Sequence, residues 1–292
     1  MFKGAMVAIV TPFKDDGKSI DEKKFRELIE FHIENGTKAI VPCGTTGESA
    51  TLSMREHEHI IEVAVDAAKG RVSILAGTGS NNTAEAIELT KYAEKVGVDG
   101  VLIITPYYNK PTQEGVYRHF KALSEAVKIP IVAYNIASRT GTNITPETMA
   151  RISTLGNVVG VKEASGDLNQ MAQMKALCKK GFCLISGDDS LTLPLLSIGG
   201  CGIVSVVANI IPKEVSNMVN AYLEGDTETA NKLHYKMLPL VKAMFIETNP
   251  IPVKTAMGMM GMLDPVFRLP MCEMSDSGKD KLELVLKEYG LI

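Results

Sequence analysis

The sequence predicts an α/β protein, a (β/α)8 TIM barrel carrying a helical extension at its C-terminal end. Eight β-branched runs alternate with amphipathic segments at a spacing of roughly 20 to 35 residues, the rhythm of strand and helix pairs in a closed parallel barrel. The competing doubly wound sheet lacks its signature, since no GxGxxG turn follows the first strand, where VAIVTPF stands instead. Beyond Pro212 no strand-like run is found. The barrel is therefore expected over residues 1–224, with a helical domain packed on it over residues 225–292.

Strand candidates start near Met6, Ala39, Ser73, Val101, Ile131, Val158, Cys183 and Ile203. The first helix, from Asp21 to Glu34, places Phe25, Leu28, Ile29, His32 and Ile33 on one stripe. The second begins at Ser53, where Glu56 three residues on completes a capping box. Thr83 reads as the cap of AEAIELTKYAEKVG, which closes on Gly97. Thr145 caps the helix opened by Pro146, a residue suited to a first turn. The remainder reads as a last barrel helix, an amphipathic segment from Asp226 to Glu247, and pieces after Pro252 and Ser277, with no low-complexity break.

With 45% hydrophobic and 22% charged residues in 292, the chain has the make-up of an ordinary globular protein. A net charge of −3 with scattered lysines and arginines argues against nucleic acid or anionic lipid as partners, and the absence of Trp weakens base stacking further. Cys43, Cys178, Cys183, Cys201 and Cys272 are odd in number and form no CxxC pair, so neither a disulfide framework nor a zinc knuckle is indicated. A reducing cytoplasm fits them. The opening MFKGAMVAIVTPF reads as a first strand and not as a secretory leader, and no apolar run approaches the roughly 20 residues of a membrane span.

In such a barrel, chemistry belongs to residues just after each strand. Those segments are GTTGES (Gly44 to Ser49), GTGSNN (Gly77 to Asn82), TPYYN (Thr105 to Asn109), YNIASRTG (Tyr134 to Gly141), KEASGD (Lys162 to Asp167) and GDD (Gly187 to Asp189). Metal chemistry is not expected: His32, His57, His59, His119 and His234 all fall in helical patterns, and no HExxH occurs. The glycine-rich GGCG (Gly199 to Gly202) precedes the eighth strand, on the face opposite the barrel's phosphate loops, so neither a phosphate site nor pyridoxal phosphate is expected there. No metal or cofactor is called for.

NVVGVKEASG (Asn157 to Gly166) ends a buried run on a single lysine. Two readings of Lys162 stand at this level. The strand stops at Val161 and the amine begins a solvated loop, or the amine lies in an apolar interior that lowers its pKa and makes it a nucleophile toward a carbonyl. Tyr134, closing the fifth strand, is either a proton carrier or a packed aromatic. GTTG offers hydroxyls and backbone N–H groups to a carboxylate but is also plain loop chemistry. Arg139 is a bidentate cation for a second carboxylate, or a solvated loop arginine.

Taken in order, GTTGES, TPYYN, YNIASRTG, VGVKEASGD, SGDD and NPIPVK resemble, over essentially the full length, the 4-hydroxy-tetrahydrodipicolinate synthases, the lysine-biosynthesis family of the class I pyruvate aldolases. The resemblance implies condensation of pyruvate with aspartate 4-semialdehyde. Carried onto this sequence, Lys162 would form the Schiff base and Tyr134 would shuttle protons. Thr45 and Tyr108 would complete the relay, with Tyr108 supplied by the neighbouring subunit of a homodimer or of a homotetramer built from two. Thr45 and Thr46 would hold the pyruvate carboxylate, Arg139 that of the aldehyde, and Gly187 and Val204 would line the pocket through main chain. Ser49, Ala50, His57, Asn81, Glu85 and Tyr107 match positions of a lysine-inhibitor site. Two positions depart from the pattern: Ala137 replaces a proline common in relatives, freeing the backbone before Arg139, and Met54 replaces a histidine found in some lysine-sensitive members. N-acetylneuraminate lyases and 2-keto-3-deoxy sugar acid aldolases would share Tyr134 and Lys162; Arg139 and the second threonine favour the aldehyde acid over a polyol.

Overall fold

A computed structural model describes residues 2–14 and 17–292. In chain order its elements are β1 (Gly4–Ala8), α1 (Glu22–Glu34), β2 (Ala39–Val41), α2 (Met54–Ala68), β3 (Ser73–Gly77), α3 (Thr83–Val96), β4 (Gly100–Ile104), α4 (Gln113–Ala126), β5 (Ile131–Asn135), α5 (Ala137–Thr140) and α6 (Pro146–Ser153). There follow β6 (Val158–Glu163), α7 (Leu168–Leu177), β7 (Cys183–Ser186), α8 (Thr192–Ser197), β8 (Gly202–Ser205), α9 (Pro212–Leu223), α10 (Thr227–Ala243), α11 (Ile251–Met259) and α12 (Asp276–Tyr289). The eight strands pair in parallel from β1 to β8, and β8 closes on β1. This is the (β/α)8 barrel that the alternating pattern predicts.

Every strand separates two cores because its side chains alternate faces. Inside the barrel lie Met6, Ala8, Val41, Leu75, Leu102, Val132, Tyr134, Cys183, Ile185 and Val204. Between barrel and helices lies a second, larger core that includes Phe25, Ile60, Ile103, Phe120, Ala133 and Val161. Phe25, Leu28, Ile29 and His32 of the first predicted stripe are buried, and Ile33 sits half-buried at its edge.

Helix starts follow the predicted caps with one correction. Ser53 and Glu56 form the reciprocal capping box, and Thr145 accepts from the Thr148 N–H ahead of Pro146. Thr83 is not the cap of α3. Asn82 takes that place by accepting from Ala84 N at 3.0 Å, which leaves Thr83 as the first helical residue, its hydroxyl 3.0 Å from His119 Nδ1. An Asx side chain one residue earlier reaches the orphan N–H with better geometry.

GGCG is a packing device: a Cβ at Gly202 would come within 2.2 Å of the Gly4 carbonyl oxygen, so only glycine lets β8 close against β1. All five histidines lie in helices, and among the described residues no three His, Cys, Asp or Glu side chains cluster as metal ligands. No helix of the described residues is long and apolar enough to cross a membrane. After β8 the regular elements are all helices, with an irregular stretch between α11 and α12, and α11 with the segment that follows it packs back over the C-terminal rim of the barrel through Lys254 and Arg268.

Candidate active site

β6 delivers Lys162 to the inside of the barrel, where the residue is only 6% exposed. The solvated-loop reading is therefore excluded. In the register of β5 with β6, Tyr134 is the Cα partner of Lys162, so both side chains face inward at one level. The amine nitrogen lies 4.2 Å from the centre of the Tyr134 ring. Burial is the largest influence on Lys162, bringing its pKa from the ordinary 10.5 down to about 8; the Asp189 carboxylate opposes the drop and the Arg139 guanidinium adds to it. Burial likewise pushes the Tyr134 phenol up to about 12, against the pull of Arg139 and of a hydrogen bond with the Thr45 hydroxyl. Near neutral pH the phenol keeps its proton, while the amine is poised close to losing one.

The next residues along the two strands, Asn135 and Glu163, are also register partners and point outward. Asn135 Nδ2 donates to Glu163 Oε2 at 2.9 Å and to Asn143 Oδ1 at 2.8 Å, while Glu163 Oε1 accepts from Ser165 N at 2.7 Å. This bond ties together the two strands that carry the inward pair. Gly187, after β7, closes the other side of the lysine: a Cβ there would stand 3.0 Å from Lys162 Cε and 2.8 Å from Ala164 Cβ. Val204, in β8, is buried in the barrel interior.

The GTTGES segment turns back over the barrel mouth. Thr45 is half-buried and Thr46 is 2% exposed, its Oγ1 accepting from Asn249 Nδ2 at 3.0 Å. Arg139 sits on the four-residue helix α5, which Ala137 opens, and donates through Nη2 to the Asn249 carbonyl at 3.2 Å. The alanine is accommodated as a helical residue, and the arginine is anchored despite it.

A lysine paired with a tyrosine, a threonine turn and a guanidinium at one barrel mouth is the arrangement to compare with known proteins. The sequence matches the dihydrodipicolinate synthetase family over residues 1–289. The chain belongs to that family. Over its whole length it is similar to the 4-hydroxy-tetrahydrodipicolinate synthase of Syntrophus aciditrophicus, 56% identical with both chains fully covered. Its fold superimposes on the dihydrodipicolinate synthase of Acinetobacter baumannii complexed with pyruvate, at TM-score 0.98 and 43% identity with all of both chains covered. It also superimposes on the enzyme of Cyanidioschyzon merolae with lysine bound, at TM-score 0.96 and 41% identity, covering 100% of this chain and 99% of that one.

Within this dihydrodipicolinate synthetase fold a single chain does not bring every expected residue to the lysine. Tyr108, after β4, is 88% exposed and has a left-handed backbone with φ of 72°, an uncommon conformation for an aromatic residue. A cavity of about 440 Å³ runs from Thr45 and Arg139 to Ser49, Ala50, His57, Glu85 and Tyr107. Asn81 does not line it; its carbonyl accepts from Asn109 Nδ2 at 2.9 Å. His57 is buried, with Nε2 2.7 Å from the Gly77 carbonyl, and burial lowers its pKa, so the neutral ring donates from Nε2. Glu85 is exposed at the cavity wall and accepts from Ser80 Oγ at 2.8 Å.

Sequence reasoning did not single out Asn135, Glu163, Asp189, Asn249, Lys254 or Glu48 individually. Asp189 is buried, accepting from Ser205 Oγ at 2.5 Å and Val206 N at 2.9 Å. All six lie inside or beside the quoted motifs, but only the fold shows which of their neighbours they meet.

Proposed function

We propose that this chain has 4-hydroxy-tetrahydrodipicolinate synthase activity: a lyase of the class I aldolase type that joins pyruvate to L-aspartate 4-semialdehyde in the diaminopimelate route to lysine. The observation that carries the mechanism is the buried Lys162 amine against the Tyr134 ring. At a pKa of about 8 a useful fraction of the amine is neutral, and its lone pair adds to C2 of pyruvate. Tyr134 gives a proton to the carbinolamine oxygen, which leaves as water, and the imine forms. Loss of a methyl proton yields an enamine whose carbon attacks the aldehyde of the second substrate, the aldehyde oxygen taking up a proton. Attack of the semialdehyde's own amine on the imine carbon then frees Lys162 and closes the ring.

Thr45, hydrogen-bonded to Tyr134, extends the proton path. Tyr108 completes it from the neighbouring subunit of a homodimer, the unit from which a homotetramer is built; its exposure and fixed backbone support that role. Thr45 and Thr46 receive the pyruvate carboxylate, Arg139 receives the carboxylate of the aldehyde, and Gly187 and Val204 line the pocket through main chain. Lysine, as end product, binds the cavity at Ser49, Ala50, His57, Glu85 and Tyr107, where a carboxylate, Glu85, is available to an ammonium group; Asn81, outside that lining, takes no part. The enzyme works in the cytoplasm, a setting in keeping with its free thiols.

Incubation with pyruvate followed by borohydride reduction and peptide mapping tests the central step. The adduct mass belongs on the peptide holding Lys162, and its absence there sinks the mechanism. Arg139→Ala should harm use of the aldehyde far more than imine formation; equal loss of both contradicts its role. A graded loss of rate with added lysine, weakened in Glu85→Ala, is expected of the inhibitor site, and a flat response rejects it.

A further inference from the structure

The C-terminal extension meets the GTTGES segment at two points and the stretch that follows it, up to the first turn of α2, at a third. Asn249 donates to Thr46 Oγ1 at 3.0 Å. Lys254, on α11, donates to Glu48 Oε1 at 2.6 Å. Arg268 donates to the Thr51 carbonyl at 3.1 Å and to both oxygens of Glu56, at 2.6 and 3.0 Å. Residues 46, 48 and 51 are thus each tied to a side chain more than 200 positions away.

The middle tie is the least expected. The side chains of Lys254 and Glu48 are 0% and 1% exposed. The ammonium uses all three of its protons, on Glu48, on the Thr11 carbonyl at 3.0 Å and on the Val266 carbonyl at 2.7 Å. It also lies 4.5 Å from the Phe13 ring centre and 5.1 Å from that of Phe267. A fully buried ion pair adds little net stability over a well-packed apolar pair, so stability alone does not account for one here. What it does fix is a conformation. Glu48 has a left-handed backbone, φ 53°, and ends the turn that holds the two threonines, its N–H donating to the Thr45 carbonyl at 3.1 Å. The neighbouring tie adds a chemical consequence: with Thr46 Oγ1 occupied as acceptor by Asn249, its own proton is left to be given to another acceptor.

We propose that Lys254 is a positioning residue for the pyruvate-carboxylate loop, holding Glu48 so that Thr45 and Thr46 present their hydroxyl protons to the incoming anion. The proposal rests on the reading that this loop receives that carboxylate, and it makes the helical extension a splint for one of the two substrates. Replacing Lys254 alone strands a buried carboxylate and endangers the fold, so the decisive variant is the double Glu48→Gln, Lys254→Met, which keeps volume and removes both charges. Asn249→Ala cuts the splint independently at Thr46.

Both are compared with the parent full-length protein for oligomeric state, thermal midpoint, pyruvate dependence of borohydride trapping, and KM of each substrate. The pyruvate concentration for half-maximal trapping should rise at least tenfold in the double variant and severalfold in Asn249→Ala, with KM for aspartate 4-semialdehyde within twofold of the parent. Unchanged pyruvate dependence in either folded variant overturns the proposal, as does an equal rise in both KM values, which a general loosening of structure would give. Failure of the parent itself to trap pyruvate would instead defeat the reading of the site, so the two failures are distinguishable.

Discussion

Replacing Lys162 by methionine keeps most of the side-chain volume and removes the amine that folding forces out of water. At pH 7 the unfolded chain carries this amine protonated, with its ordinary value of 10.5, whereas the folded chain holds it at about 8. The gap corresponds to about 3 kcal/mol by which the folded state disfavours the charged amine. The sign follows from proton binding: between about pH 8 and 10.5 the unfolded state holds more protons than the folded one, so this penalty is complete below pH 8 and fades as pH rises through that window. Lys162→Met should therefore abolish turnover and yet stabilise the protein at pH 7 by up to about 3 kcal/mol. For a chain of this length that is a rise of about 5 °C in the unfolding midpoint. Thermal unfolding of parent and variant at one scan rate, at pH 7 and again at pH 9.5, measures it. A variant less stable than the parent at pH 7, or an advantage that does not shrink at the higher pH, would refute the argument that the site holds a desolvated amine at the expense of stability.

Three further outcomes are expected. The kcat/KM for pyruvate should climb about tenfold per pH unit below about pH 8 and level off above it, because only the neutral amine attacks; a profile flat from pH 6 to 8 contradicts this. Tyr134→Phe keeps the ring beside Lys162 but loses the proton carrier, so turnover should fall by about 10² to 10⁴ with an unchanged unfolding midpoint, and a loss under tenfold would mean another group moves the proton. Gly187→Ala places a methyl against Lys162 Cε and Ala164, which should destabilise the fold by about 1 to 3 kcal/mol and slow pyruvate trapping; normal trapping at normal stability would show that the lysine chain has room to move.

The sequence by itself determined the architecture and singled out Lys162 as the candidate side chain. A period of strand then helix repeated eight times leaves few alternatives to a closed barrel, and local reading finds the lone lysine that ends VVGVK while leaving both of its readings open. Ser53 with Glu56, and Thr145 with Pro146, were legible because capping is decided within four residues. Where two polar residues competed for one cap, as Asn82 and Thr83 did, the sequence favoured the wrong one, since reach to the Ala84 N–H is a matter of ångströms. Tertiary structure alone decided whether Lys162 is wet or dry, that Tyr134 is its register partner, and that Asn135 and Glu163 bind the same two strands from outside. It alone brought Asn249, Lys254 and Arg268 onto residues 46 to 56. The reason is physical. Periodicity and capping are set by neighbours along the chain, whereas desolvation, strand register and an ion pair joining position 48 to position 254 exist only once distant segments have closed around them.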